Sequence, residues 1–158
     1  MSDLYSGIKL VHILRATILF GTGLGTAFQM WLAHRSGDVR AIAIVARHTV
    51  WADLFFTTPA VIFQPLTGIM LMRISGIDPW SSWLVTAYGL YVLTGLCWLP
   101  VVWIQIRVRN LATEAAATDT PLPPEYYRLM RWWFGLGWPA FLAVIAIFWL
   151  MVAAPPLW

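Results

Sequence analysis

His12 and Arg15 stand three residues apart inside KLVHILRATILFGTGLGTAFQM, residues 9–30, a stretch otherwise dominated by apolar and small side chains. Three residues is close to one helical turn, so both side chains leave the same face. At that repeat His12, Arg15, Leu19, Thr22, Gly23, Thr26 and Met30 fall within one sector, a polar face edged with small residues. Ionisable groups inside a membrane span are costly and usually face the interior of a bundle. An imidazole there, with a guanidinium beside it and glycine and aromatic residues around, suits a b-type haem. Histidine supplies the axial nitrogen, arginine neutralises a propionate and small residues make room for the ring. The plainer reading is an imidazole hydrogen-bonded within the bundle.

The elements that position these groups follow from composition. Of 158 residues 60% are hydrophobic and 11% charged, with a mean hydropathy of +0.73. That is a membrane protein, all-α, with four spans at about 5–33, 42–72, 83–105 and 132–153 in one transmembrane domain. The first stretch has no small-residue cleavage site and predicts a retained span. The first and third connections hold Arg35, Arg40, Arg47, Arg107, Arg109, Arg128 and Arg131, whereas the rest hold Lys9 and Arg73. By the positive-inside rule this predicts a bacterial cytoplasmic membrane protein with loops 1 and 3 cytoplasmic and both termini outside. The modest charge of +3 fits that topology and anionic lipid better than nucleic acid. Cys97 alone forms no internal disulfide.

The second connection, RISGIDPWSSW, has turn chemistry, and the third, NLATEAAATDTPLPPEYY, starts helix-friendly, ends in Pro121, Pro123 and Pro124, and is expected to fold over the cytoplasmic face. Trp80, Trp83, Trp149 and Trp158 are placed in an outer aromatic belt and Trp31, Trp103, Trp132 and Trp133 in an inner one, with Trp51 and Trp98 interior. Pro59, Pro65, Pro100 and Pro139 predict kinked helices and carbonyls that neighbours or water must satisfy.

Counting from a hinge at Gly37 and Asp38 gives depth. His12 and His48 then differ by about 24 Å at 1.5 Å per residue, so they cannot share a metal, whereas His34 and His48 lie near one surface and can meet. The count sets His12 level with Gln64 and Pro65, and Asp53 level with Gly23. Asp53, Thr57, Ala60, Gln64 and Gly68 share a face of span two, which turns Asp53 inward. Its partners are Thr22, Thr26 or backbone, fixing helix register or relaying protons, or else Arg15, about 12 Å away in depth and reachable only by stretched side chains or water. On span three, Tyr88, Tyr91, Gly95, Trp98 and Gln105 form a face that suits packing or the wall of a macrocycle pocket.

No nucleophile triad, metalloprotease helix motif, cysteine pair, phosphate loop or dinucleotide fingerprint is present. Ile8-Lys9-Leu10-Val11-His12-Ile13, Gly21 to Leu24 and His34 resemble the first helix of the small membrane protoporphyrinogen oxidases of the HemJ type. Thr58-Pro59-Ala60 with Gly68 resembles their second helix, and Tyr127-Arg128 with Pro155 their last. The chain is more closely similar to an uncharacterised family of predicted four-helix bacterial integral membrane proteins. The oxidase resemblance implies that His12 binds haem. It departs in span three, where WLVTAYGLYVLTG lacks the lysine and histidine of that family, and after Tyr127-Arg128, where LMRWW replaces an Asn-Glu pair. It therefore supports a haem-binding bundle more than the oxidase reaction, which needs an acid and a base.

The expectation is a membrane haem b protein acting in electron transfer or haem- and porphyrin-linked oxidation. His12 is the axial ligand, Arg15 the propionate partner, Gly23, Gln64, Tyr88 and Trp98 the lining, and His34 with His48 a second metal site. Catalytic residues are unassigned. Besides the bilayer, its partners on this reading are a quinone, a porphyrin or a redox protein, in a homo-oligomer or a larger complex. The rival from another class is a cofactor-free accessory subunit of a membrane complex; a small-ion transporter is a weaker rival without an inverted repeat.

Overall fold

A computed structural model describes residues 2–157; Trp158 lies outside the described residues. The chain is helical from end to end: α1 (Ser2–Ser36), α2 (Val39–Ala52), a π-helical turn (Asp53–Thr57), α3 (Thr58–Ser75), α4 (Ser82–Thr118) and α5 (Pro124–Ala153). α2, the π turn and α3 run on as one span, so four helices are long and apolar enough to cross a membrane. Most are apolar all round because lipid, not water, meets their outer faces.

Local chemistry sets the ends. Gly37 takes a left-handed φ of 70° at the first hinge. Asp38 then caps α2, its Oδ1 accepting from the backbone N–H groups of Arg40 and Ala41. α3 ends at Gly76, φ 65°, with Ile77 N–H reaching back to Met72 O, and Asp78 Oδ1 holds Trp80 N–H in the turn that follows. The third connection starts helical, as its composition suggests. NLATEAAAT continues α4 as helix to Thr118 and leaves a short link. Leu122 from that link is buried, and the bidentate pair of Arg107 with Glu125 (2.8 and 3.1 Å) ties α4 to α5.

Packing is uneven along the bundle. The tight core lies at the arginine-bearing end, where Met30 and Ala33 of α1, Ile42, Ala43 and Ala46 of α2, Ala112 and Ala115 of α4, and Tyr126, Met130 and Trp133 of α5 come together. Toward the other end contacts thin out: a Cβ added at Gly21, Gly23, Gly25, Gly89, Gly95, Gly135 or Gly137 would meet nothing within 4 Å. Trp31, Trp80, Trp103, Trp132 and Trp149, expected in two belts, are exposed. Two placements are corrected. Trp51 is 51% exposed and stacks on Phe55 outside the bundle, while Trp133 is 6% exposed in the core.

Prolines act as expected, through particular partners. Pro65 has no N–H for the carbonyl four residues back, Val61 O, and the Tyr91 hydroxyl of α4 donates to that carbonyl. Ahead of Pro59 the helix widens into the π turn, where the N–H and the hydroxyl of Thr58 both reach Asp53 O.

Candidate functional site

His12 is wedged between α1 and α3. Its Nδ1 lies 2.8 Å from Thr67 Oγ1 and its Nε2 3.2 Å from Gln64 Nε2. The Thr67 hydroxyl lies within donating reach of the Phe63 and Gln64 carbonyls (3.2 and 3.0 Å), as threonines on helices commonly do. With the Thr67 proton turned to those carbonyls, a proton on His12 Nδ1 would be donated to Thr67, and the Nε2 lone pair would face the Gln64 amide nitrogen. Gln64 Oε1 is buried with no partner. A Cβ at Gly68 would stand 3.5 Å from His12 Cε1, so this glycine lets α3 pass close to the ring.

The level of His12 with Gln64 agrees with the depth count from the Gly37 hinge. Thr67 is the residue sequence reasoning missed. Its signal was present: Gln64, Thr67 and Gly68 are three and four residues apart and share one helical face.

Arg15, one turn deeper, stacks its guanidinium over the Phe63 ring at 4.5 Å. No carboxylate comes within ion-pair distance of it among the described residues. The stretched pair of Arg15 with Asp53 does not form. Asp53, 9% exposed at the head of the π turn, instead accepts from Trp98 Nε1 at 3.4 Å, while Thr22 and Thr26 keep to α1, Thr26 bonding back to Thr22 O. Asp53 thus faces inward and Trp98 is the interior tryptophan predicted.

The remaining candidates are dispersed. Tyr88 reaches Met72 Sδ at 3.5 Å and Trp98 reaches Asp53, so the aromatic face of α4 packs on the second span rather than on His12. Gly23 is exposed on α1. His34 Nδ1 is 3.0 Å from the buried Tyr126 Oη, and His48 is exposed on α2, so the structure does not bring these two histidines together. Among the described residues no three His, Cys, Asp or Glu side chains gather into a metal-holding group.

A family model described as predicted integral membrane protein (DUF2269) matches residues 6–155. The chain belongs to that family. No curated protein and no solved structure matches this DUF2269 chain. It is a multi-pass integral membrane protein with four spanning helices.

Proposed function

We propose that this DUF2269 protein binds a b-type haem through His12 and serves electron transfer or haem- and porphyrin-linked oxidation. The carrying observation is the state of His12. Nδ1 faces the Thr67 hydroxyl and Nε2 faces only a side-chain amide; we take Nδ1 as the protonated nitrogen, which leaves the lone pair on Nε2. Metal-ligating histidines are held in this manner, the second nitrogen donating so that tautomer and ring angle are set. The residues fit the group. The half-satisfied Gln64, with Oε1 unpartnered, is the side chain that turns away to free Nε2. Arg15, a cation in a membrane span without a carboxylate, supplies the charge a propionate needs.

A bound haem would supply reversible one-electron chemistry between its ferric and ferrous states. The chain's own part is to orient the imidazole, hold an anionic edge and keep water out from lipid-facing walls. No base for a porphyrinogen is assigned, since α4 carries neither lysine nor histidine across the membrane. The arginine distribution orients the protein in a bacterial cytoplasmic membrane with both termini outside, which puts His12 in the outer half, within reach of a quinone or an extracytoplasmic redox protein.

The rival, a cofactor-free subunit of a larger complex, is favoured by one observation: the glycines of α1 at 21, 23 and 25 face open space that a partner helix can enter. Haemin titration into protein from haem-depleted cells separates the two. A Soret band saturating at one equivalent in wild type and absent in His12→Ala supports haem binding; no saturable band in folded wild-type protein overturns it.

A further inference from the structure

α1 and α5 keep their backbones apart, unlike α4 on α5 or α3 on α1. Aromatic side chains bridge them at two levels. At one, Phe20 stacks on Phe141 with ring centroids 4.9 Å apart and tilts against Phe148. At the arginine-bearing end the His34 ring lies 6.0 Å from that of Tyr127, and its Nδ1 3.0 Å from Tyr126 Oη. The helices are therefore antiparallel, and the spacing of the bridges is the same on each, which leaves a seam about 21 Å long between them.

The floor of the seam changes along its length. Next to His34, Ala27 and Phe134 pack against the core. Beyond them Gly23 and Gly137 stand level to within about 2 Å, each one turn from the Phe20–Phe141 bridge. A Cβ on either would meet nothing within 4 Å, so the seam holds a gap there.

At the arginine-bearing end the two lips are built alike. On α1, Arg35 and Trp31 are one turn apart, the guanidinium 5.2 Å over the indole; on α5, Arg131 and Tyr127 are one turn apart. All four are exposed. Counted inward from the His34–Tyr127 bridge, Trp31 and Arg131 reach the same depth to within about 2 Å. No carboxylate lies within ion-pair distance of Arg35 or Arg131 among the described residues. Asp38 is engaged in capping α2, and Glu125 in pairing with Arg107.

We infer that the α1–α5 seam binds one anionic phospholipid from the leaflet at the arginine-bearing end, with its phosphate between Arg35 and Arg131 and one acyl chain in the gap at Gly23 and Gly137. Arginine forks suit a phosphate, and the aromatic lips suit the level of headgroups. Gly137 lies about 9 Å along α5 from Arg131, within the roughly 15 Å of hydrocarbon that one leaflet contributes. A free anion would answer the arginines and leave the gap open; a partner helix would fill the gap and leave the arginines unpaired. A phospholipid does both. The inference does not depend on haem at His12, which lies toward the other end of α1.

Native mass spectrometry of the full chain tests it, with titration in detergent by dioleoyl phosphatidylglycerol and by phosphatidylcholine of the same chains. Wild type should retain one phosphatidylglycerol in preference to phosphatidylcholine. Arg35→Gln combined with Arg131→Gln should lower that preference by about 10- to 30-fold, the effect of two surface cations on an anionic headgroup. Arg47→Gln combined with Arg109→Gln removes the same charge from α2 and α4 and should leave the preference unchanged. Gly137→Leu fills the gap without changing charge and should also release the lipid; Gly23→Leu, from the opposite wall, reads the same gap should Gly137→Leu fail to fold. Equal retention of the two lipids by wild type, equal losses in the two arginine pairs, or undiminished retention in a folded glycine variant would each overturn the inference.

Discussion

A single hydroxyl decides how His12 presents itself. With Nδ1 as the protonated nitrogen, Thr67 is its acceptor, so Thr67→Val, nearly the same shape, removes the acceptor and lets the ring turn and change tautomer. Haemin affinity in that variant is expected to fall by about 10- to 100-fold, the usual effect of removing a hydrogen bond behind a ligating histidine. Titration beside wild type checks it, and an unchanged affinity would show that Thr67 only fills space. Removal of the rival for Nε2 acts in the opposite direction. Gln64→Leu abolishes the amide bond to His12 and should bind haemin faster in stopped flow, provided Gln64 is a displaced partner and not itself a ligand. At this scale His12, Arg15, Gln64 and Asp53 were legible in the sequence because polar groups in apolar runs announce themselves. Thr67 was not, since threonine is common in spans and its use shows only once the facing helix is placed. Nor was Trp133 recognisable as core: the belt rule goes by position along a span, and Trp132 beside it does face outward.

Between helices, proline positions and their partners hold the second span in shape. Pro65 deprives Val61 O of its helical donor and Tyr91 supplies one from α4. Tyr91→Phe leaves that carbonyl bare, at a cost of about 1–3 kcal/mol if no water reaches it. Pro65→Ala returns an N–H to the same carbonyl, so the Tyr91→Phe penalty should shrink in that background. A double-mutant cycle by reversible unfolding in mixed micelles measures the coupling; additive penalties would show that the two residues act separately. That a proline would free a carbonyl for a neighbouring helix could be foreseen from the sequence. The π turn could not, because widening by one residue is a choice among several ways of absorbing Pro59, made by the packing of Asp53 and Thr57 inside. The helical start of the third connection was legible in NLATEAAAT, whereas the depth to which Leu111, Ala112 and Ala115 bury an apolar face there shows only once the neighbouring helices are placed.

Taken whole, the protein is two unequal halves. The arginine-bearing half is closely packed around Tyr126 and Ala112, and the half containing His12 is held by fewer contacts between α1 and its neighbours. Hydrogen exchange in micelles should therefore open residues 5–25 before residues 104–115 and 126–133, and haemin should slow the first group selectively. Exchange that is uniform along α1 and α4 would contradict that division. Four spans, their loops and the shared level of His12 and Gln64 were within reach of hydropathy and counting, because membrane thickness and helix rise leave little freedom. Which half packs tightly was not, since glycine serves equally for close approach and for open space. The central claim is that His12 holds a haem. Its most direct test is a reduced-minus-oxidised absorption spectrum of protein purified from haem-replete cells, with pyridine haemochrome quantification, beside His12→Ala. A b-type spectrum at one haem per chain, lost in the folded variant, is the result predicted. A colourless wild-type protein, or a haem signal that survives His12→Ala, would contradict it.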